Sequence, residues 1–477
     1  MKCLHVLLIL AALCFSGKAL GQGECPGQHC SAKANIVNIM CKNLGQAGGV
    51  VFVEHNGSYC WCKCSCLASN TPVEIAPNKW KRIGDVKVGE TVLARSLNGA
   101  WKQAPVVFSD GTTMPEKPYP YAIYVVLKDG TELVVTADHL FLINGNILKR
   151  ADRLAPTDQL VGSDGKPKSI KTVVSGSYHG PIHHIAATKW DETNPSIDGH
   201  LINTNGVISG DYFAELHLST PALVTEPQIG SVQYETAFKR QHAAFISTSG
   251  LPDKISVGKD AVFMPAKPLS IPEDAHPFIP KEFETPDPTK LGPLDHTIPY
   301  EMAQYLVNHY RTHYPDITYH IEWADNRVNA YAWMSGGKRH VALLGGLLRH
   351  VYVKQEGAGL VLAHEIGHHY GGDPKYPGSW ASCEGQSDYW GALIGMRKVW
   401  WGHYAIEQTQ AGADQLRNLF AFGLLGGNLF DLITLSPSST ATCSHPPAQC
   451  RYETYIAGMR ADSKPSCAAF SGVRKQN

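Results

Sequence analysis

Two short stretches of this chain carry residues whose types and spacing suit chemistry. The first is an HExxH pattern at residues 364–368, within a stretch from 357 to 370 that predicts a helix. On a helix His364 and His368 share a face, so both imidazoles can bind one Zn²⁺. Glu365 stands beside them, placed to take a proton from metal-bound water. The alternative is a histidine-rich surface helix, since the chain has 22 histidines.

The third metal ligand distinguishes between classes of zinc peptidase. A metzincin needs a histidine six residues beyond the second one, and that position is Pro374. Further on, Glu384 and Asp388 lie on a second predicted helix that runs to about Val399. Glu384 is the predicted third ligand, and Asp388, one turn later, is placed to accept the other ring N–H of a ligating histidine. This is the gluzincin arrangement, with the fourth position left for water.

Other segments extend the match and resemble the CAAX-protease and HtpX-like peptidases, over about residues 295–465. The shared segments are Val328-Asn329-Ala330-Tyr331-Ala332, Gly336-Gly337, Gly346-Leu347-Leu348, Ser444-His445-Pro446-Pro447 and Arg451. The resemblance implies that His445 stabilises the oxyanion and that the Asn-Ala strand is an edge on which a peptide docks. The chain departs from that family by lacking its membrane helices and by adding four cysteines. A soluble, disulfide-stapled relative is implied, and prenylated substrates are not.

The second stretch begins at Cys66 and continues through the segments 66–73 (CLASNTPV), 83–94 (IGDVKVGETVLA) and 136–139 (TADH). In this order and spacing they resemble the Hint domain of hedgehog C-terminal regions and inteins, over residues 66 to about 215. The resemblance implies that the Cys66 thiol attacks the carbonyl of Ser65 to form a thioester.

In the Hint family the threonine and histidine of a T-x-x-H motif polarise the departing amide. Thr136 and His139 match those positions, and His200 resembles the later family histidine. A structural role for Cys66, with Thr136 and His139 as ordinary strand residues, is the alternative.

The end of the predicted Hint domain lacks the His-Asn pair with which splicing inteins end. Residues 205–210 read Asn-Gly-Val-Ile-Ser-Gly instead. Splicing is therefore not expected, and cleavage at Ser65–Cys66 is the predicted outcome. Water, a thiol or another nucleophile can resolve the thioester, and no segment indicates sterol attachment.

Composition places these sites in a multidomain globular protein. The 477 residues are 43% hydrophobic and 18% charged, which excludes a disordered chain. Lys+Arg and Asp+Glu both number 42, so bulk charge gives no case for nucleic-acid binding. We predict an all-β Hint domain followed by a mainly α (α+β) peptidase domain. The domains are a signal peptide (1–21), a cysteine-rich segment (22–65), the Hint domain (66–215), a proline-rich linker (216–292) and the peptidase (293–477).

The signal peptide predicts a secreted or periplasmic protein in a compartment that permits disulfides. Cys3 and Cys14 would leave with it, which leaves 11 of the 13 cysteines. Six of these lie from Cys25 to Cys64 and four from Cys383 to Cys467, so each group can pair internally. On this count Cys66 is the cysteine without a partner. The connectivity is open, and no later stretch clearly spans a membrane.

Two functions remain open at this stage. The first is an exported, self-processing zinc endopeptidase that acts on a peptide or protein substrate. The alternative is a precursor whose product is the small disulfide-rich segment 22–65, with the rest of the chain serving its maturation.

Overall fold

The computed structural model describes residues 50–55, 58–61 and 66–470, the last range with gaps at 116, 192, 219–225, 232, 235, 239–250, 268, 293, 296 and 424–442. The chain divides into two compact units, Met1–Lys63 and Cys64–Asn477. The predicted signal peptide lies outside the described residues, as does most of the cysteine-rich segment. From that segment the structure describes one antiparallel hairpin, β1 (Val50–His55) with β2 (Ser58–Trp61).

The first part of the second unit is a closed antiparallel β-barrel, which confirms the all-β prediction for this region. Its strands are β3 (Leu67–Ala68), β4 (Pro72–Ala76), β5 (Lys79–Arg82), β6 (Thr91–Arg95), β7 (Lys102–Pro105), β8 (Phe108–Gly111), β9 (Tyr119–Leu127), β10 (Glu132–Thr136), β11 (Leu140–Ile143), β12 (Ile147–Arg150), β13 (Gln159–Val161), β14 (Pro167–His179), β15 (Ile182–Ala186), β16 (Leu201–Thr204), β17 (Val207–Gly210), β18 (Ile255–Ser256) and β19 (Val262–Pro265).

Residues that favour tight turns determine where the chain reverses in two hairpins of the barrel. β9 and β10 form the hairpin that Asp129-Gly130 predicts, with Gly130 at φ 89°. A second tight hairpin joins β16 to β17. Asn205 (φ 49°) and Gly206 (φ 84°) adopt the left-handed conformation of a tight hairpin turn, so the chain reverses between them.

The predicted proline-rich linker contributes strands to both sheets of this unit. β19 pairs with β14 of the barrel, and β18 pairs with β19. β20 (His276–Pro277) joins the second sheet instead. A proline cannot donate to a strand ladder, so it is tolerated at the end of β19 and on the edge strand β20. The described strands of this segment therefore belong to both sheets.

The second sheet has the order β20-β22-β23-β21, with β21 (Ile317–Glu322), β22 (Ala330–Ser335) and β23 (Lys338–Leu344). The single strand-like stretch expected at residues 320–334 thus belongs to two strands. The helices are α1 (Tyr212–Leu218), α2 (Ile298–His313), α3 (Gly345–Leu348), α4 (Gln355–Tyr370), α5 (Glu384–Trp390), α6 (Met396–Val399), α7 (Gly402–Asn418) and α8 (Ala448–Arg460). A π-helical turn over Gly391–Gly395 joins α5 to α6. The mainly α prediction for this region is confirmed.

Helix α4, which carries the HExxH pattern, runs through the middle of the peptidase region. Every residue from Gly357 to His368 is buried, so the helix is covered on all sides by α2, α5, α7 and the sheet. A helix with polar residues buried on all sides must place them against specific partners, because an unpaired buried polar group is costly.

Two disulfides connect the described cysteines of this region, Cys383–Cys443 and Cys450–Cys467. Cys66 is a free and completely buried cysteine in the described part of the chain. Within the residues that the structure describes, no helix combines the length and the apolar character needed to cross a bilayer.

Candidate active sites

Close helix packing brings the third predicted ligand to the HExxH helix. At Gly367 an added Cβ would lie 3.0 Å from the Cα of Ser387 on α5, so a larger residue would push the two helices apart by a few tenths of an ångström. The disulfide Cys383–Cys443 ties the start of α5 to the residues before His445, and the Glu384 N–H donates to the Cys443 carbonyl at 3.1 Å. Residues far apart in sequence therefore meet at one point.

The predicted ligands converge. The His364 Nε2 lies 3.3 Å from the Glu384 Oε2, and the His368 Nε2 lies 3.5 Å from the Glu384 Oε1. Two atoms bound tetrahedrally to one Zn²⁺ at about 2.0–2.2 Å stand roughly 3.3–3.5 Å apart. His364 Nε2, His368 Nε2 and Glu384 Oε2 are buried and find no hydrogen-bond partner among the described residues. Unpaired buried lone pairs at this spacing fit a zinc ion.

The outer nitrogen of each imidazole is held in place. The Nδ1 of His364 donates to the Oδ1 of Asp388 at 2.7 Å, as the sequence predicted. The Nδ1 of His368 donates to the carbonyl of Ser382 at 2.8 Å. Both tautomers therefore leave Nε2 free to bind a metal. Burial lowers the pKa of His368 to about 3, so this ring is neutral, as a ligand must be.

Asp388 is itself held by a buried cluster that sequence reasoning had not assembled. Arg451 donates to both of its oxygens, from Nε at 2.9 Å and from Nη2 at 2.8 Å, and the Tyr455 hydroxyl donates at 2.6 Å. Burial raises the pKa of Asp388, but Arg451 and His364 outweigh it and lower the value to about 2. The carboxylate is thus ionised and orients His364. The i, i+4 spacing of Arg451 and Tyr455 on α8 was the available sequence signal.

Glu365 and His445 are the remaining predicted catalytic residues of this site, and both lie in its neighbourhood in the folded chain. Glu365 is completely buried, its two carboxylate oxygens find no partner among the described residues, and burial raises its pKa well above the usual range. A raised pKa suits a carboxylate that takes and returns a proton. The Nε2 of His445 lies 3.4 Å from the Glu384 Oε2 and donates to the carbonyl of Pro277 at 2.7 Å.

The second site forms where β3 meets β10 in the barrel. The N–H of Cys66, the nitrogen of the predicted scissile bond, donates to the Thr136 Oγ1 at 2.8 Å. The Thr136 hydroxyl in turn donates to the Oδ1 of Asp138 at 2.8 Å. Thr136 N–H also donates to the Cys66 carbonyl at 2.9 Å. The structure therefore brings together Cys66 and Thr136, 70 residues apart in sequence.

His139 and His184 are both buried, and both contact the carboxylate of Glu215. The Nδ1 of His139 lies 2.6 Å from the Glu215 Oε1, and the Nε2 of His184 lies 2.6 Å from the Glu215 Oε2. Because His183 pairs with Leu67 in antiparallel strands, the next residue, His184, lies opposite Cys66. Burial, then the carboxylates of Asp138, Glu215 and Asp110, raise the pKa of Cys66, so the thiol is protonated and needs a local base.

His200 was predicted to assist cleavage, but the structure pairs it with another group. Its Nδ1 lies 3.0 Å from the Asp211 Oδ2, at the start of α1. His184 is a further histidine, which strand pairing places opposite Cys66. The available signal was the strand Ile182–Ala186, in which two adjacent histidines must face opposite sides and the second is buried.

One family model matches part of the chain. The model for peptidase family M48 matches residues 301–423, which include the HExxH helix and Glu384. This region of the chain is therefore a metallopeptidase domain, and the peptidase resemblance found in the sequence is confirmed. M48 peptidases are zinc enzymes, which agrees with the ligand geometry. No curated protein matches the chain.

Among solved structures, inteins match the barrel region. The DnaB intein of Synechocystis sp. PCC 6803 is 16% identical and covers 31% of this chain and 99% of its own, with a TM-score of 0.26. The gp41-1 intein is 19% identical, and the match covers 31% of this chain and 100% of the intein, with a TM-score of 0.24. A bacterial intein-like domain from Clostridium thermocellum is 15% identical, with 31% and 100% covered and a TM-score of 0.27. The all-β architecture itself rests on the strand pairings described above.

Proposed function

We propose that this chain is an exported, self-processing zinc endopeptidase. The observation that carries the proposal is the convergence of three unpartnered buried ligand atoms, on His364, His368 and Glu384, beside the buried carboxylate of Glu365. The substrate is a peptide or protein, and the predicted signal peptide supports export to the periplasm or the exterior.

The side chains divide the work of peptide hydrolysis. When bound, the zinc ion acts as a Lewis acid toward the substrate carbonyl and lowers the pKa of water. Glu365 takes the proton of the attacking water and returns it to the leaving nitrogen, which its raised pKa favours. His445 donates its Nε2–H to the carbonyl oxygen as negative charge develops. Asp388 keeps His364 in the tautomer that binds the metal.

The test is zinc content together with peptide hydrolysis by purified full-length protein and by Glu365→Gln. We expect one zinc ion per chain in both proteins and a loss of kcat of about 10²–10⁴ in the variant, the usual contribution of a general base. Glu356→Gln is the matched control, because Glu356 lies on the same helix but bonds Gln415 at 2.9 Å. Absent zinc with unchanged hydrolysis in Glu365→Gln would sink the proposal.

For the barrel we propose cleavage at Ser65–Cys66 through a thioester. The Cys66 sulfur attacks the Ser65 carbonyl, the C–N bond breaks, and the Cys66 nitrogen leaves as an amine after gaining a proton. Water or another nucleophile then attacks the thioester carbonyl, the C–S bond breaks, and residues 22–65 leave while the Cys66 sulfur regains a proton. Thr136, which accepts the N–H of that nitrogen at 2.8 Å, holds the amide in position. The raised pKa of Cys66 makes a base necessary, and we assign the thiol proton to the histidine pair on Glu215, since strand pairing places His184 opposite Cys66.

Intact masses of the secreted protein test this cleavage. Wild type should lose residues 22–65, and Cys66→Ala should keep them. Mass spectra taken without reduction also report the cysteine pairing and signal removal. If neither protein releases the segment, the cleavage proposal fails.

A second function keeps one observation in its favour. The boundary between the two compact units, after Lys63, lies two residues before the proposed cleavage site, so cleavage would release the first unit nearly whole. The released segment would then be the product, a disulfide-rich binding or signalling peptide. Surface binding by that segment, together with a dispensable Glu365, would favour this function over the endopeptidase.

A further inference from the structure

A segment of this chain occupies the free edge of the peptidase sheet. β20 pairs antiparallel with β22, with His276 opposite Ala332. The next residue continues the ladder, because the Phe278 N–H donates to the Ala330 carbonyl at 2.9 Å. Extended peptides bind to exposed sheet edges through the same main-chain hydrogen bonds. The segment therefore lies where an extended substrate would add to the sheet.

Groups of the active site hold the main chain of this segment on its other side. The Nε2 of His445 donates to the Pro277 carbonyl at 2.7 Å, and the Nη1 of Arg451 donates to the Phe278 carbonyl at 2.7 Å. The ring of Phe278 is completely buried and meets the ring of His364 edge-on at 5.1 Å. The donor assigned to the oxyanion is thus already engaged by a carbonyl of the same chain.

The ring of His276 lies beside two of the three predicted metal ligands, His368 and Glu384. A ring nitrogen of His276, one of His368 and a carboxylate oxygen of Glu384 all lie within 4.8 Å of one another. The rings of His276 and His368 stack at 5.2 Å with 28° between their planes. The ring of Tyr376, whose hydroxyl donates to Glu384 at 2.9 Å, lies 4.6 Å from that of His276. Packing on two sides thus holds His276 at the ligand cluster.

We propose that His276 is a fourth protein ligand of the zinc site and that its segment keeps the peptidase latent. This inference rests on the proposed zinc function. A catalytic zinc site keeps one position open for water, whereas four protein ligands close it. Glu365 is completely buried in this arrangement, so bulk solvent does not reach the base. Activity then requires the segment to leave the edge of β22.

The experiment measures access to the metal as well as activity. Full-length protein is loaded with Co²⁺ in place of zinc and titrated with acetohydroxamate, a small metal-binding probe, while visible absorption is recorded. His276→Ala and the size-conserving His276→Gln remove the ligand. His320→Ala is the matched control, because His320 is a half-buried histidine of the same sheet that stacks on Trp333 instead.

We expect the spectrum of wild type and of His320→Ala to resist the probe, and both His276 variants to bind it saturably. If the segment has left the edge of β22 in less than about one tenth of the wild-type molecules, removing the His276 ring raises kcat/KM for peptide hydrolysis at least about 10-fold. A variant that loses its fold would also lose stoichiometric cobalt, which separates misfolding from an opened site.

Equal binding of the probe to wild type and to both His276 variants would overturn the inference. Cleavage of the wild-type chain between His276 and Ile279, seen by mass, would also overturn it, because the segment would then be a substrate. A wild type that hydrolyses peptides as fast as His276→Ala rejects latency alone and leaves the zinc peptidase intact. Failure of wild type to bind either metal rejects the proposed function itself.

Discussion

The ion pair between Arg451 and Asp388 determines how firmly the metal site is held. Arg451 is 2% exposed and Asp388 is 0% exposed, and two hydrogen bonds of 2.9 and 2.8 Å join them. Asp388 also accepts the Nδ1–H of His364. Arg451→Met replaces the charged side chain with an unbranched apolar one, and it leaves the Asp388 carboxylate buried without its counterion.

The expected loss follows from these contacts. Removing one partner of a buried ion pair costs about 3–5 kcal/mol, because the other charge stays buried. Without Arg451 the pKa of Asp388 rises from about 2, and its grip on the His364 tautomer weakens. We expect Arg451→Met to lower the free energy of unfolding of the peptidase region by about 3–5 kcal/mol. Zinc affinity should fall about 10- to 100-fold, as for other partners of metal-binding histidines.

Calorimetric unfolding of the full chain and zinc competition with a chelator measure the two effects. Arg349→Met is the control, since Arg349 is also buried but bonds the Gly292 carbonyl and the Asn326 side chain instead of a carboxylate. We expect a smaller loss there, about 1–3 kcal/mol, and unchanged zinc affinity. If the free energy of unfolding of Arg451→Met lies within about 1 kcal/mol of the wild-type value and its zinc affinity is unchanged, the reasoning is refuted.

Three further changes are predicted. Thr136→Val removes the acceptor for the Cys66 N–H and should slow release of residues 22–65 by about 10- to 100-fold, measured by intact mass against time. Tyr376→Phe removes the hydroxyl that donates to Glu384 and should weaken zinc binding about 10-fold by chelator competition. Burial raises the pKa of Glu215, but His184 and His139 outweigh it and lower the pKa to about 2. The ionised carboxylate therefore stabilises the fold above about pH 5, and that stabilisation is lost as the pH falls toward 2. Glu215→Gln should flatten that acid dependence in calorimetric scans; an unchanged acid limb would contradict the assigned role.

Local periodicity explains why the peptidase ligands could be predicted. The helix repeat alone puts His364 and His368 on one face, and the short spacing from Glu384 to Asp388 puts ligand and orienting carboxylate one turn apart. The hairpin at Asp129-Gly130 was predictable for the same reason, because a two-residue turn has strict conformational demands. Each of these predictions depends on a few consecutive residues.

The predictions that changed concern contacts between distant residues. His200 was chosen from its neighbours in sequence, but strand register brought His184 level with Cys66, since β15 pairs with β3 across the barrel. Likewise the segment 216–292 is proline-rich, yet its strands belong to two sheets whose free edges only the folded chain presents.

By itself the sequence determined the chemistry: a thiol with its T-x-x-H partner, and two histidines, a glutamate base and a glutamate ligand for zinc. The tertiary structure decided which further groups act on that chemistry. His276 reaches the site from 88 residues before His364, by pairing along the edge of β22, and Arg451 reaches Asp388 from 63 residues away on α8. Motif spacing follows from local backbone geometry, whereas such contacts follow from the packing of whole sheets and helices, which no short stretch of sequence encodes.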